Sequence, residues 1–285
     1  MKKLMILIVI GLTMSTVACS PTKVDSVADD KMIIAVSIVP QETFVKAVVG
    51  DNFDIVTLIP PGYSPENHEP KAETMAKLER ASIYFAIGVP TEDVNILPYL
   101  KDTKVVSLHT EAALYYPDRE FEPGFRDPHI WLSPKRVKVM IDVIAQEVSN
   151  LDPDNEALYL ANAEQYKTEL DQLDETIKES LSDVSSRKFI AYHPAFGYLA
   201  DDYDLTMYVL EEEGKEATPQ HLQDMVDLAI SENIKAVFYQ SEIDSSQSKA
   251  FAEEIDGVTV ELEPLAEDYI PNLLKMIETL AEVLK

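Results

Sequence analysis

From Asn155 to Val184 the chain holds no glycine and no proline, and Tyr166, Leu170, Leu173, Ile177 and Leu181 recur at steps of three and four residues. That period puts one apolar stripe on one face of an α-helix. Asp152-Pro153-Asp154 supplies the start, with proline where a helix tolerates it. At 1.5 Å per residue the helix would be roughly 40 Å long, a stiff strut and not a flexible linker. Whatever the flanking segments form must therefore be joined by a rod.

Both flanks carry the same rhythm. Met32–Ser37, Asp54–Ile59, Ile83–Ile87 and Lys104–Leu108 are apolar runs of strand length, with helical patterns over Glu42–Gly50, Lys71–Ala81 and Val94–Leu100. Beyond the rod, Lys188–Tyr192, Leu205–Val209, Ile234–Tyr239 and Val258–Leu262 read as strands, with helices near Pro219–Glu232, Ser246–Ile255 and Tyr269–Leu284. Strands alternating with helices predict mostly parallel sheets covered on both faces, so the expected fold is α/β, two similar lobes joined by a long rigid helix. The expected boundaries are an N-terminal lobe over 32–153, the linking helix over 154–184 and a C-terminal lobe over 185–285.

Ahead of these, Lys2 and Lys3 precede the apolar run Leu4 to Leu12, which is followed by small residues up to Ala18 and Cys19. This is the layout of a secretory signal, and the run is shorter than the ~20 apolar residues that a membrane span needs. Cys19 is the chain's single cysteine, which excludes an intramolecular disulfide and a cysteine-based metal cluster. Thr16-Val17-Ala18-Cys19 resembles a bacterial lipoprotein box, although Thr16 stands where leucine is usual; an ordinary signal peptide with an incidental cysteine is the alternative. The resemblance implies a signal peptide over 1–18, acylation of Cys19 and a lipidated polar tether over 19–31. Twenty-four Lys and Arg against 51 Asp and Glu leave a charge of −27; cleavage removes two lysines, giving 22 − 51 = −29. So negative a surface repels phosphate backbones, which argues against nucleic acid as a partner.

Ligands of open α/β sheets bind beyond the carboxyl ends of the strands, so the polar residues that follow apolar runs are the candidates. Asp54–Ile59 leads into Pro60-Pro61-Gly62-Tyr63-Ser64-Pro65-Glu66-Asn67-His68-Glu69-Pro70, Lys188–Tyr192 ends in His193-Pro194, and Val258–Leu262 ends in Glu263-Pro264. A fourth segment, Asp127-Pro128-His129-Ile130-Trp131-Leu132-Ser133-Pro134, sets a histidine between prolines just before a helix. Each proline fixes φ beside a possible ligand, aiming the side chain in advance. Two of the five histidines read as structural: His109 leads into an ordinary loop, and His221 lies in the first turn of a helix capped by Thr218. Trp131, the single tryptophan, reads as core or pocket wall.

These segments closely resemble those of the solute-binding lipoproteins of zinc and manganese ABC importers, from about Ile34 to the C-terminus. The stretch from Asp127 to Leu132 is similar to that family's Asp-Pro-His-x-Trp-Leu signature, His193 to Tyr198 to its second histidine motif, and Glu261 to Leu265 to its Leu-Asp-Pro-Leu segment with Glu263 in the aspartate's place. The proline loop departs from the pattern. Its usual histidine position is Glu66, and His68 comes two residues later. No histidine lies between Tyr115 and Arg126, where zinc importers often carry a histidine-rich insertion.

The resemblance implies an extracytoplasmic, lipid-anchored receptor and not an enzyme. It would be a monomer that captures Zn²⁺, or alternatively Mn²⁺, between its lobes and delivers it to a membrane permease. The implied ligands are His68, His129, His193 and Glu263, with Glu66 as the alternative to His68. On an extended segment a two-residue offset returns His68 to the face of Glu66, which favours the histidine. Four protein donors fit carriage better than hydrolysis, since catalytic zinc keeps a water position open. Affinity is expected to fall below about pH 6.5 as the imidazoles protonate, and the stiff helix predicts metal exchange through local loop movement. Two other readings use similar parts: a cell-surface zinc hydrolase, which lacks a His-Glu-x-x-His helix here, and an iron-chelate or cobalamin receptor, which needs a broad aromatic or arginine-lined cleft. Replacing Cys19 by Ser is expected to release the protein from the membrane fraction with metal binding intact, as read by fractionation and titration; retention would overturn the lipid anchor.

Overall fold

A computed structural model describes residues 31–211, 216–243 and 246–285. Cys19, the signal segment and most of the tether lie outside the described residues. The first half comprises β1 (Ile33–Val36), α1 (Val39–Val49), β2 (Asp54–Thr57), α2 (Ala72–Leu78), β3 (Ile83–Ala86), β4 (Lys104–Ser107) and α3 (Leu108–Ala113). A short hairpin, β5 (Glu120–Glu122) and β6 (Phe125–Arg126), then precedes α4 (Pro134–Leu151). After α5 (Glu156–Ser180) come β7 (Lys188–Ala191), α6 (Gly197–Asp202), β8 (Thr206–Val209), α7 (Pro219–Ser231), β9 (Ala236–Tyr239), α8 (Ser246–Glu254), β10 (Val258–Glu261) and α9 (Tyr269–Leu284).

The sheets run β2-β1-β3-β4 and β10-β9-β7-β8, with every neighbouring pair parallel. Counted within its own half, each has the order 2-1-3-4. Each half therefore has a point between its first and third strands where the crossovers diverge, the place where such sheets hold ligands. The predicted strands all form. The segment after β4, read as a loop, is instead helix α3, and the pattern over Val94–Leu100 resolves into a π-helical turn at Glu92–Ile96 and a 3₁₀ turn at Leu97–Tyr99.

The rod is α5, 25 residues long and thus about 37 Å. Tyr159, Ala163, Tyr166, Leu170, Leu173 and Ile177 form its buried face. Its start is held by Asp152, whose Oδ2 accepts from Asn155 Nδ2 at 2.8 Å and from the Tyr159 hydroxyl at 2.6 Å. One continuous core takes in residues of both sheets, α4, α5 and α9, so the halves are separate sheets on a shared interior. Phe44 of α1 meets Tyr269 of α9 edge-to-face, ring centroids 4.8 Å apart.

Polar groups stitch the same seam. Trp131, fully buried, donates its indole N–H to the Pro264 carbonyl at 2.9 Å, and the Tyr269 hydroxyl donates to the Trp131 carbonyl at 2.7 Å. Asp202 at the end of α6 accepts from Ser133 Oγ at 2.6 Å and from Arg136 Nη1 at 3.0 Å, and also pairs with Lys135. Arg136 in turn lies over the Tyr198 ring. Because the core is shared, the described residues are expected to unfold in one transition, with Trp131 fluorescence and far-UV circular dichroism coincident in urea. Leu170→Ala, in the middle of the rod, should lower stability by about 2–5 kcal/mol without splitting that transition.

Candidate metal centre

The Asp127–Pro134 segment follows the β5–β6 hairpin and opens α4. Its first residue does the positioning. Asp127 is fully buried, and its Oδ1 accepts from the backbone N–H of His129 at 2.9 Å and from His129 Nδ1 at 2.8 Å. A carboxylate can only accept, so the ring proton sits on Nδ1 and Nε2 turns outward. The ring packs against Trp131, centroids 5.3 Å apart, which makes that tryptophan the wall expected of it.

His193 is placed by sheet register. Ala191 of β7 pairs with Val209 of β8, so two residues further along His193 stands beside Glu211, and Glu211 N still bonds the Tyr192 carbonyl. Glu211 Oε2 lies 2.5 Å from His193 Nδ1 and again leaves Nε2 facing inward. The two Nε2 atoms are 3.2 Å apart. Glu66, from the proline loop after β2, brings Oε1 to 3.2 Å from His193 Nε2. One donor atom each from Glu66, His129 and His193 falls within 4.8 Å of the others, with both histidines buried and the glutamate partly so.

The charges follow from this crowding. Burial disfavours a charged His193, but hydrogen bonds to Glu211 and Glu66 outweigh it and push the imidazole up to about 9. Burial likewise works against the Glu66 carboxylate, yet the hydrogen bond and charge of His193, with the charge of His129, hold its pKa below the ordinary value. A proton on His193 Nε2 therefore occupies the position between the three donors where a cation would bind.

Neither His68 nor Glu263 belongs to this group. The chain turns over Pro65–Asn67 where an extended run was expected, and Glu66 N bonds Ser64 Oγ at 3.2 Å. The two-residue offset therefore does not return His68 to the face of Glu66. Its ring instead lies edge-on to Tyr63 at 4.8 Å, and its carbonyl accepts from Thr91 Oγ1 at 3.2 Å and Asn95 Nδ2 at 2.9 Å. Glu263 follows β10, which forms one edge of its sheet with β9 between it and β7. Two strand spacings are roughly 10 Å, and the alternation that buries Leu262 turns Glu263 outward, half exposed and 3.7 Å from Lys275.

The remaining histidines are outside the group as expected. Burial and the charge of Arg126 depress His109 to about 4, so it stays neutral. His221 follows its Thr218 cap, but its Nε2 bonds the Val209 carbonyl at 3.0 Å and is not merely solvated. Glu92, which the sequence did not single out, is buried just after Thr91. Its carboxylate accepts from the N–H groups of Ile87 and Gly88 at 2.8 and 2.7 Å, steadying the turn whose Thr91 N–H bonds the Pro65 carbonyl. Glu211 was also missed, although the strand-end criterion that found His193 reaches it from β8.

Known proteins resemble this arrangement over most of its length. The zinc-binding lipoprotein AdcA of Streptococcus pneumoniae is 28% identical over 308 residues, covering 99% of this chain and 61% of the relative. This chain thus spans about three fifths of that protein's length. The manganese ABC transporter substrate-binding lipoprotein PsaA of Streptococcus anginosus is 25% identical, with 89% of this chain and 87% of the relative covered. The crystal structure of ZnuA superposes with a TM-score of 0.84 at 34% identity, covering 90% of this chain and 100% of that one. A ZnuA deletion mutant with zinc bound gives the same score and identity, over 90% and 99%. The family described as zinc-uptake complex component A, periplasmic, matches residues 34–284. With the two parallel sheets, the joining helix and the buried histidine pair in place, the chain belongs to the ZnuA family.

Proposed function

We propose that this protein is the extracytoplasmic solute-binding component of an ABC importer. It captures a divalent transition metal, zinc first and manganese next, and hands it to a membrane permease. In this reading it acts as a monomer held at the membrane through acylated Cys19. The observation that carries the proposal is the convergence of His129 Nε2, His193 Nε2 and a Glu66 carboxylate oxygen, with both Nδ1 atoms engaged by carboxylates. Each imidazole is thereby oriented with Nε2 facing the gap before any metal arrives, although on His193 a metal must first displace the proton. Two nitrogens and one carboxylate suit zinc by the general affinity order, while replacing a third imidazole with Glu66 hardens the set and makes manganese a stronger competitor.

Three converging donors would equally serve a zinc hydrolase, which keeps a water in the fourth position. The expectation of four protein donors therefore no longer separates carrier from enzyme. Membership in a family of uptake components does. Glu66 replaces His68 in the proposed ligand set because Glu66 Oε1 meets His193 Nε2, whereas the His68 ring lies against Tyr63. Metal content of the purified chain, followed by competition titration after chelation, tests the function directly; a chain binding neither zinc nor manganese would overturn it.

His129→Ala and His193→Ala should each weaken zinc binding by more than about a hundredfold while leaving the fold intact. Glu66→Ala should weaken both metals and His68→Ala neither. The reverse result would restore the histidine.

Protonation of His193 sets the pH dependence. A metal must displace the proton that Glu211 and Glu66 hold on the ring to about pH 9, so the fall in affinity begins there and not near 6.5. Zinc affinity should decline by about fiftyfold from pH 9 to pH 7, with close to one proton released per metal at pH 7 in differently buffered calorimetry. The metal-free chain should behave oppositely. Its His193 pKa is raised from 6.5 to about 9, so the stability this group contributes is complete below 6.5 and is lost as pH rises through 9.

A further inference from the structure

Arg119 belongs to neither histidine segment and touches both. Its Nη1 donates to Asp127 Oδ2 at 3.0 Å, the oxygen of that carboxylate not used by His129. Its Nε lies 3.1 Å from Asp201 Oδ2 in α6, and its backbone N–H donates to the Tyr198 hydroxyl at 3.0 Å. The guanidinium also fills the space over Gly197, the first residue of α6, where a Cβ would fall 2.5–2.6 Å from Cζ, Nε and Nη1. Asp127 aims His129, whereas Gly197, Tyr198 and Asp201 follow His193 in the same continuous segment.

We infer that Arg119 is a positioning residue that locks the His129 segment to the His193 segment and so sets the gap into which the metal fits. The inference rests on the proposed metal-binding function. Asp127 is fully buried, so one oxygen pinned by Arg119 keeps the other from turning away from His129. The planar guanidinium hydrogen-bonds Asp127 through Nη1 and faces the exposed Asp201 as an ion pair through Nε, an arrangement a lysine ammonium does not reproduce. Gly197 carries no positive φ, so its lack of a side chain answers to the guanidinium packed on it and not to the backbone. Arg119 stands one bond behind Asp127, and a partner such as Asp127 that orients a ligand typically changes metal affinity by about 10–100-fold when lost.

The test uses Arg119→Lys and Gly197→Ala. The second variant removes no charge and no hydrogen-bonding group, and simply pushes the guanidinium aside. Zinc and manganese affinities are measured for both by competition with a chromophoric chelator, alongside melting of the metal-free proteins and the ring ¹⁵N resonances of His129. Both variants should bind zinc about 10–100-fold more weakly while remaining folded, and His129, a single Nδ1-protonated tautomer in the wild type, should become a mixture. Wild-type zinc affinity in Gly197→Ala would overturn the inference. If the wild type itself bound neither metal, the function proposed above would fail, and the metal-free resonances would still decide here: one unchanged His129 tautomer in both variants would remove the locking role.

Discussion

Trp131 gives its indole N–H to the Pro264 carbonyl and takes the Tyr269 hydroxyl on its own carbonyl, so one buried residue from the first half is bonded twice to the segment leading into the last helix. That double contact ties the histidine two residues before it to the frame of the other sheet. His129 rests on the same indole. Without this seam the two sheets would be joined by α5 alone, and a 37 Å rod fixed at its ends gives no control of a 3.2 Å gap between two imidazoles. The shared core and the buried Asp202 cluster extend the seam on either side. A continuous, close-packed interior transmits such constraints because it deforms very little.

Within that frame the centre is assembled by electrostatics that would be unfavourable one group at a time. A buried histidine resists charge, and a buried carboxylate does too. His193 meets Glu211 on one side and both Glu66 and His129 on the other, with Asp127 behind His129, and a single proton at the middle stands where a divalent ion would carry twice its charge. In the proposed function, a metal arriving there would exchange with that proton and leave the outer carboxylates in place. The chain's −27 charge adds a long-range attraction for cations, screened beyond about 8–10 Å in physiological salt.

Much of this was legible beforehand. The glycine- and proline-free run from Asn155, with its three-and-four spacing, yields α5 because a 3.6-residue period has no other compact use. Every apolar run between helical patterns became a parallel strand, as buried strands with both faces covered require. Prolines and strand ends made His129 and His193 candidates together with His68 and Glu263, and only the family resemblance implied them as ligands. The proline loop was less legible. Whether Glu66 or His68 reaches the group depends on a turn over Pro65–Asn67 that is held from outside, by Thr91 and, within the π-helical turn it precedes, Asn95. Glu263 was assigned by its neighbours in the chain, and strand order alone decides that β10 is an edge.

By itself, then, the sequence determined the elements, their class of sheet and a short set of candidate donors that includes the two buried imidazoles, because periodicity and proline act within a few residues of where they stand. Tertiary structure decided which carboxylates meet those imidazoles. Glu211 reaches His193 through the register of β7 on β8, Asp127 is braced by Arg119 across to α6, and Glu66 arrives on a loop bonded to Thr91 and Asn95. Each of these contacts joins residues far apart in the chain through sheet register, strand order or a shared seam, and none of these long-range relations leaves a periodic trace in the residues it brings together.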